Sequence, residues 1–110
     1  MVENRKDTRV PFRCKLSISA LHGGARVSAF SRDISLKGVG VIAGGSFQRG
    51  QQVLVSFHLR GAADKNISET VRGQIAWMRT IADTNEIGIQ FQEPLTEANT
   101  PVLLAKIQRI

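Results

Sequence analysis

Apolar and polar residues alternate over most of this chain, and the alternation predicts strands. From Phe12 the pattern is strict: Phe12, Cys14, Leu16, Ile18 and Ala20 share one face, while Arg13, Lys15, Ser17 and Ser19 share the other. A period of two marks a half-buried strand, because successive side chains of a pleated backbone point to opposite sides. His22-Gly23-Gly24 supplies turn residues for a hairpin. The return strand, about Ala25 to Ile34, alternates poorly: Val27 and Ala29 have odd parity, Phe30 and Ile34 even. A bulge is one explanation, and bulges gather near sites and at barrel rims. Val39 to Ala43 forms a third short strand, in which Gly38 and Gly40 leave one side bare for close backbone approach.

Two long runs follow. Val53, Val55, Phe57 and Leu59 alternate with Gln52, Ser56 and His58. Between Ile67 and Met78, Val71, Ile75 and Trp77 share parity, which favours a core position for Trp77, with a base-stacking platform as the other role open to it. Asp83-Thr84-Asn85 marks a hairpin turn into Ile87, Ile89 and Phe91, and Pro94 stops that strand. The spacing changes only at the end. Thr100 before Pro101 is a favourable N-cap with proline at the first helical position, and Leu103, Leu104, Ile107 and Ile110 recur at helical intervals.

These elements predict an all-β fold with a short terminal helix: a six-stranded antiparallel barrel whose closure removes exposed edges. Residues 1–11 are polar and close with Pro11, so they are expected to form a flexible N-terminal arm, with 12–110 forming the barrel and its C-terminal helix. At 110 residues the chain is one compact domain. No apolar run has the length of a membrane span, and no hydrophobic segment follows the N-terminus as in a secretory signal. The one cysteine, Cys14, sits in an alternating apolar row; a buried reduced thiol and a cytoplasmic location are expected.

Fifteen basic residues against nine acidic ones give a net charge of +6, which favours an anionic partner. Nucleic acid, a membrane surface and a phosphorylated small molecule all fit, although no basic amphipathic helix suited to a membrane is evident. An enzyme needs a constellation that is missing here. Neither His22 nor His58 has a partner at metal-ligand spacing, and Ser35 lacks the context of an activated nucleophile. No catalytic residue, metal site or cofactor is therefore assigned.

Two short stretches carry the remaining chemistry. Asp33-Ile34-Ser35-Leu36-Lys37-Gly38 falls where one strand ends and the next begins, and Asp33 and Ser35, two apart, are expected on one face. Upstream, Arg5-Lys6-Asp7-Thr8-Arg9 holds two arginines four apart. Arg-x-x-x-Arg followed, after 23 residues, by Asp-x-Ser-x-x-Gly resembles the signature of the PilZ domain, a receptor for the bacterial second messenger cyclic di-GMP. The resemblance runs from about Asn4 to Ile107 and implies the same barrel.

It also implies that Arg5, Arg9, Asp33, Ser35 and Gly38 hold cyclic di-GMP, and that a downstream protein partner reads the result. Arginine can clasp guanine O6 and N7, grip a phosphate or stack on a base, and a carboxylate accepts from the N–H groups of guanine's opposite edge. Many PilZ domains have a further arginine where Asn4 stands; in the family this position bears on whether one dinucleotide or an intercalated pair binds, and Asn4 leans toward one. Lys6 and Trp77 are further candidates for ligand contact. A different reading is a small basic barrel binding single-stranded nucleic acid. Such proteins display aromatic rows to solvent, and this chain has only 5% aromatic residues and no tyrosine.

Overall fold

The structure is a computed structural model that describes residues 8–24, 26–44 and 47–108. Seven strands form in order: β1 Val10–Pro11, β2 Lys15–Ala20, β3 Arg26–Ile34, β4 Gly38–Ala43, β5 Gln52–Arg60, β6 Asn66–Ile81 and β7 Thr84–Phe91, followed by helix α1, Pro101–Gln108. All pairings are antiparallel. Around the wall the order is β3-β2-β5-β6-β7-β4, and pairing of β4 back onto β3 closes a six-stranded barrel. The two-residue β1 adds to β3 through Val10 opposite Ile34 and Pro11 opposite Asp33. Proline has no N–H to give a ladder, so a marginal strand is where it is tolerated. The sequence-based boundary at residue 11 thus falls inside a short paired segment, and residues 1–7 lie outside the described range. Among the described residues, no helix is long and apolar enough to cross a membrane.

The alternating rows point inward as their period requires. Leu16, Ile18, Val53, Val55, Phe57, Ile75, Ile87 and Ile89 are buried, and Phe57 meets Phe91 edge to face at 6.3 Å between ring centres. That geometry sets the positive edge of one ring against the negative face of the other. Cys14 is buried, its thiol near the His58 carbonyl oxygen at 3.4 Å; burial pushes its pKa up, which keeps it protonated. The 3-10 turn Ala62–Asp64 links β5 to β6.

The helix start departs from expectation. Thr100 is the residue before α1, and its carbonyl accepts from the Leu104 N–H, but its hydroxyl turns away to the Thr96 carbonyl and to Asn99. The open N–H groups of the first turn are met by Glu69 of β6. Its carboxylate accepts from Val102 at 3.0 Å and from Leu103 at 2.8 Å. An anion there also opposes the positive end of the helix dipole. Leu103 is fully buried beside it, so α1 is fastened to the barrel by one apolar side chain and one carboxylate. Ile110, predicted on the same stripe, lies outside the described residues.

Candidate functional site

Two bulges shape the outer wall of the barrel. In β3, Ser31 faces Val41 but Asp33 faces Gly40, so Arg32 is an extra residue. This is the irregularity that the broken alternation of the strand suggested. Without it Asp33 would face Val39 and point into the core; with it Ile34 enters the core against Val39, and Asp33 turns outward over Gly40. In β6, Ile75 faces Ile89 but Trp77 faces Gly88, so Ala76 is the extra residue. Trp77 has the parity of Ile75, yet the bulge turns it to the outside. The expected core position of Trp77 is therefore corrected: it is half-buried on the outer wall. The parity argument failed because a bulge inverts every face beyond it.

The result is a single cross-strand row: Asp33 in β3, Gly40 in β4, Gly88 in β7 and Trp77 in β6. Two glycines in the middle leave bare backbone as a floor. A Cβ on Gly40 would come within 2.6 Å of Asp33 Oδ1, and one on Gly88 would run into the Trp77 indole. The side chains at both ends thus lean inward over the glycines. Beside this row lies a cleft of about 340 Å³ lined by Arg9, Ser35, Gly38, Trp77, Gly88 and Gln90, among others.

The turn that carries the motif is built from within. The Ser35 N–H donates to the Gly38 carbonyl at 2.8 Å, and the Ser35 hydroxyl accepts from the Lys37 N–H while it donates to the same carbonyl. Ser35 is buried, so its hydroxyl shapes the turn, and it lies past the end of β3 rather than beside Asp33 on one strand face. Gly38 is required by contact. A Cβ there would sit 2.6 Å from the Ile89 carbonyl oxygen, and the Arg9 guanidinium lies over the same spot.

Charge is arranged in one alternating chain. Arg79 bonds Glu86 at 2.7 Å, Glu86 bonds Arg32 at 2.9 Å, Arg32 bonds Asp33 at 3.2 Å, and Asp33 bonds Arg9 at 3.1 Å. Arg79 also lies 5.5 Å from the Trp77 ring centre, within cation–π range. The Arg79 hydrogen bond holds the Glu86 carboxyl below its usual range, partial burial works against this, and Arg32 adds to the lowering. Burial tends to lower the Arg32 pKa, but the Glu86 bond and Asp33 raise it on balance. Both Asp33 oxygens are engaged, one by each arginine, and a ligand for Asp33 has to displace or share them.

Arg9, distant in sequence from Asp33, Ser35 and Gly38, therefore meets them at one place, and Trp77 joins them. Asn4, Arg5 and Lys6 fall outside the described residues. Sequence reasoning missed Arg32, Glu86, Arg79 and Gly88. Gly88 carried a usable signal, because a glycine between two core isoleucines marks close approach of another group. The others are ordinary surface charges until the register places them together. Among the described residues, no group of three or more His, Cys, Asp or Glu is placed to hold a metal ion.

Comparison with known proteins gives a consistent result. The family model of the PilZ domain matches residues 3–109. Among solved structures, the chain is similar to the Bacillus subtilis inhibitor of motility MotI/DgrA, with a TM-score of 0.76 at 16% identity over 98% of this chain. That match takes in 52% of the Bacillus protein, so the chain spans about half its length. The PilZ domain of CeSA from a cellulose-synthesizing bacterium follows at 0.65 and 17% identity, covering 93% of this chain and 99% of that one. The PilZ domain of YcgR from Escherichia coli, a structure with c-di-GMP, gives 0.62 at 14% identity over 89% of each chain. No curated protein sequence matches. At these identities the structural likeness concerns the fold.

Proposed function

The chain belongs to the PilZ domain family, and from that premise we propose that it is a receptor for cyclic di-GMP that passes the signal to a partner protein through a ligand-dependent surface. The observation that carries the proposal is the convergence of Arg9, Ser35 and Gly38 on one cleft walled by Trp77, with Asp33 beside it, paired to Arg9. Each has a chemical use. Asp33 accepts hydrogen bonds only, so it selects the N1–H and N2–H groups that guanine has and adenine lacks on that edge. Arg9 supplies a guanidinium for a phosphate or for guanine O6 and N7, and Arg5 offers the same chemistry from the sequence. Gly40 and Gly88 let Asp33 and the Trp77 ring lie close over the backbone, and the open face of that ring offers stacking to a base.

The signal would come from the Arg9–Asp33 pair. In the free protein Arg9 satisfies Asp33 directly. A dinucleotide that takes Asp33 releases Arg9 to its phosphate, and the segment before β1 follows Arg9 over the ligand. This gives a new surface beside the nucleotide, where a partner can discriminate bound from free. Binding is the whole task, and no catalytic step is invoked. Isothermal calorimetry with purified protein tests the reading: saturable heat with cyclic di-GMP and none with GMP at equal concentration is expected. The absence of heat with cyclic di-GMP at high concentration would rule the function out. Trypsin tests the mechanism, since cleavage after Arg9 should slow when cyclic di-GMP saturates the protein.

A further inference from the structure

The outer wall next to the cleft has a feature that the motif does not explain. Four of the chain's seven glutamines, Gln52, Gln74, Gln90 and Gln92, line a second cleft of about 320 Å³ together with Arg72. Three of them form a cross-strand row that starts at the motif itself: Gly38 faces Gln90, Gln90 faces Gln74, and Gln74 faces Gln52. Gln90 lines both clefts, so they are neighbours with a shared wall. The row crosses β4, β7, β6 and β5, three inter-strand steps of about 4.8 Å, or roughly 14 Å. All three glutamines are exposed. Arg72 stands at the edge of the second cleft, bonded to Gln92 at 3.5 Å.

A row of neutral amides differs in kind from the charged chain around Asp33. A carboxylate can only accept, and it demands a base edge with two donors. A primary amide donates and accepts together. It pairs bidentately with the O6 and N1–H of guanine or with the N7 and N6–H of adenine. The two clefts would therefore read bases with different stringency.

We propose that the glutamine row is the subsite for the second nucleobase of a cyclic dinucleotide whose first guanine sits at Asp33, and that this subsite accepts adenine as well as guanine. The inference rests on the function proposed above. Gln90 and Gln74 meet the second base, and Arg72 lies beyond them as a cation for the phosphate on that side. The protein then requires one guanine and tolerates either purine opposite it.

Calorimetry on the intact protein with cyclic di-GMP, cyclic GMP–AMP and cyclic di-AMP tests this. The mixed dinucleotide is expected to bind within about tenfold of cyclic di-GMP, and cyclic di-AMP more than about tenfold weaker, as loss of the Asp33 donors requires. Gln74→Leu, an exposed change confined to the second cleft, should weaken both guanine-containing ligands by roughly three- to tenfold, with the melting temperature unchanged. Cyclic GMP–AMP binding more than about tenfold weaker than cyclic di-GMP overturns the inference and leaves the receptor reading intact. Undiminished affinity in Gln74→Leu does the same. Failure of every cyclic dinucleotide to bind the wild-type protein removes both.

Discussion

Asp33 and Trp77 end the same cross-strand row from opposite sides, each turned outward by a one-residue bulge in its own strand. Between them lie only Gly40 and Gly88. Because Trp77 is the chain's one tryptophan, it is also a built-in probe. Cyclic di-GMP should quench its emission saturably as a base stacks beside the indole. Trp77→Ala should weaken binding by roughly five- to a hundredfold, the range that loss of one base–aromatic stack gives. Unchanged emission with ligand shown to be bound would place the base elsewhere.

Arg9→Ala and Asp33→Ala should each weaken cyclic di-GMP binding roughly ten- to a hundredfold, the effect of losing a charge-assisted hydrogen bond. The melting temperature should hardly move. Arg9 is 42% exposed at its side chain, and a solvent-exposed pair of this kind contributes about 0–1 kcal/mol to folding. A large fall in melting temperature would assign the pair a structural role in place of a binding one.

Glu69→Ala should show the reverse pattern. It strips two N–H groups at the start of α1 of their acceptor, one of them on buried Leu103. A cost of about 1–3 kcal/mol follows from leaving such donors unpaired, read as a lower urea midpoint. Cyclic di-GMP affinity should stay within about twofold of wild type, since Glu69 caps the helix and lines neither cleft.

Glu86 predicts a pH dependence. Its carboxyl is held below the usual range, so the unfolded chain takes up this proton at a higher pH than the folded one does. The stabilisation is complete above the ordinary glutamate value of about 4.3 and is lost as pH falls below it toward the lowered folded value. Urea unfolding at a series of acidic pH values should show this decline. In Glu86→Gln it should be shallower, and an identical decline would mean that other carboxylates carry it.

The strands themselves were legible from the chain. Alternation in β2, β5 and β7 is a local property, since one buried face and one wet face impose a period of two on any strand. Thr100 before α1 and Pro101 at its first position likewise announced a helix start. The paired motif, with its spacing, singled out Arg9, Asp33, Ser35 and Gly38 before any of them had a position in space.

Faces and partners were another matter. Whether Asp33 points to the core or the wall depends on Arg32 having no opposite number in β4, and the same holds for Trp77 through Ala76 and β7. A bulge is a mismatch in count between two strands, so neither strand states it alone; the broken parity of β3 hinted at one, while the intact parity of β6 misled. Glu69 shows the same limit. An acid stands in the inward row of β6 with Val71 and Ile75, and its partner lies 33 residues on at Val102, beyond the reach of local pattern. What the tertiary structure decided was register, because register is settled only when distant strands bury their apolar faces together, and every side chain's direction follows from it.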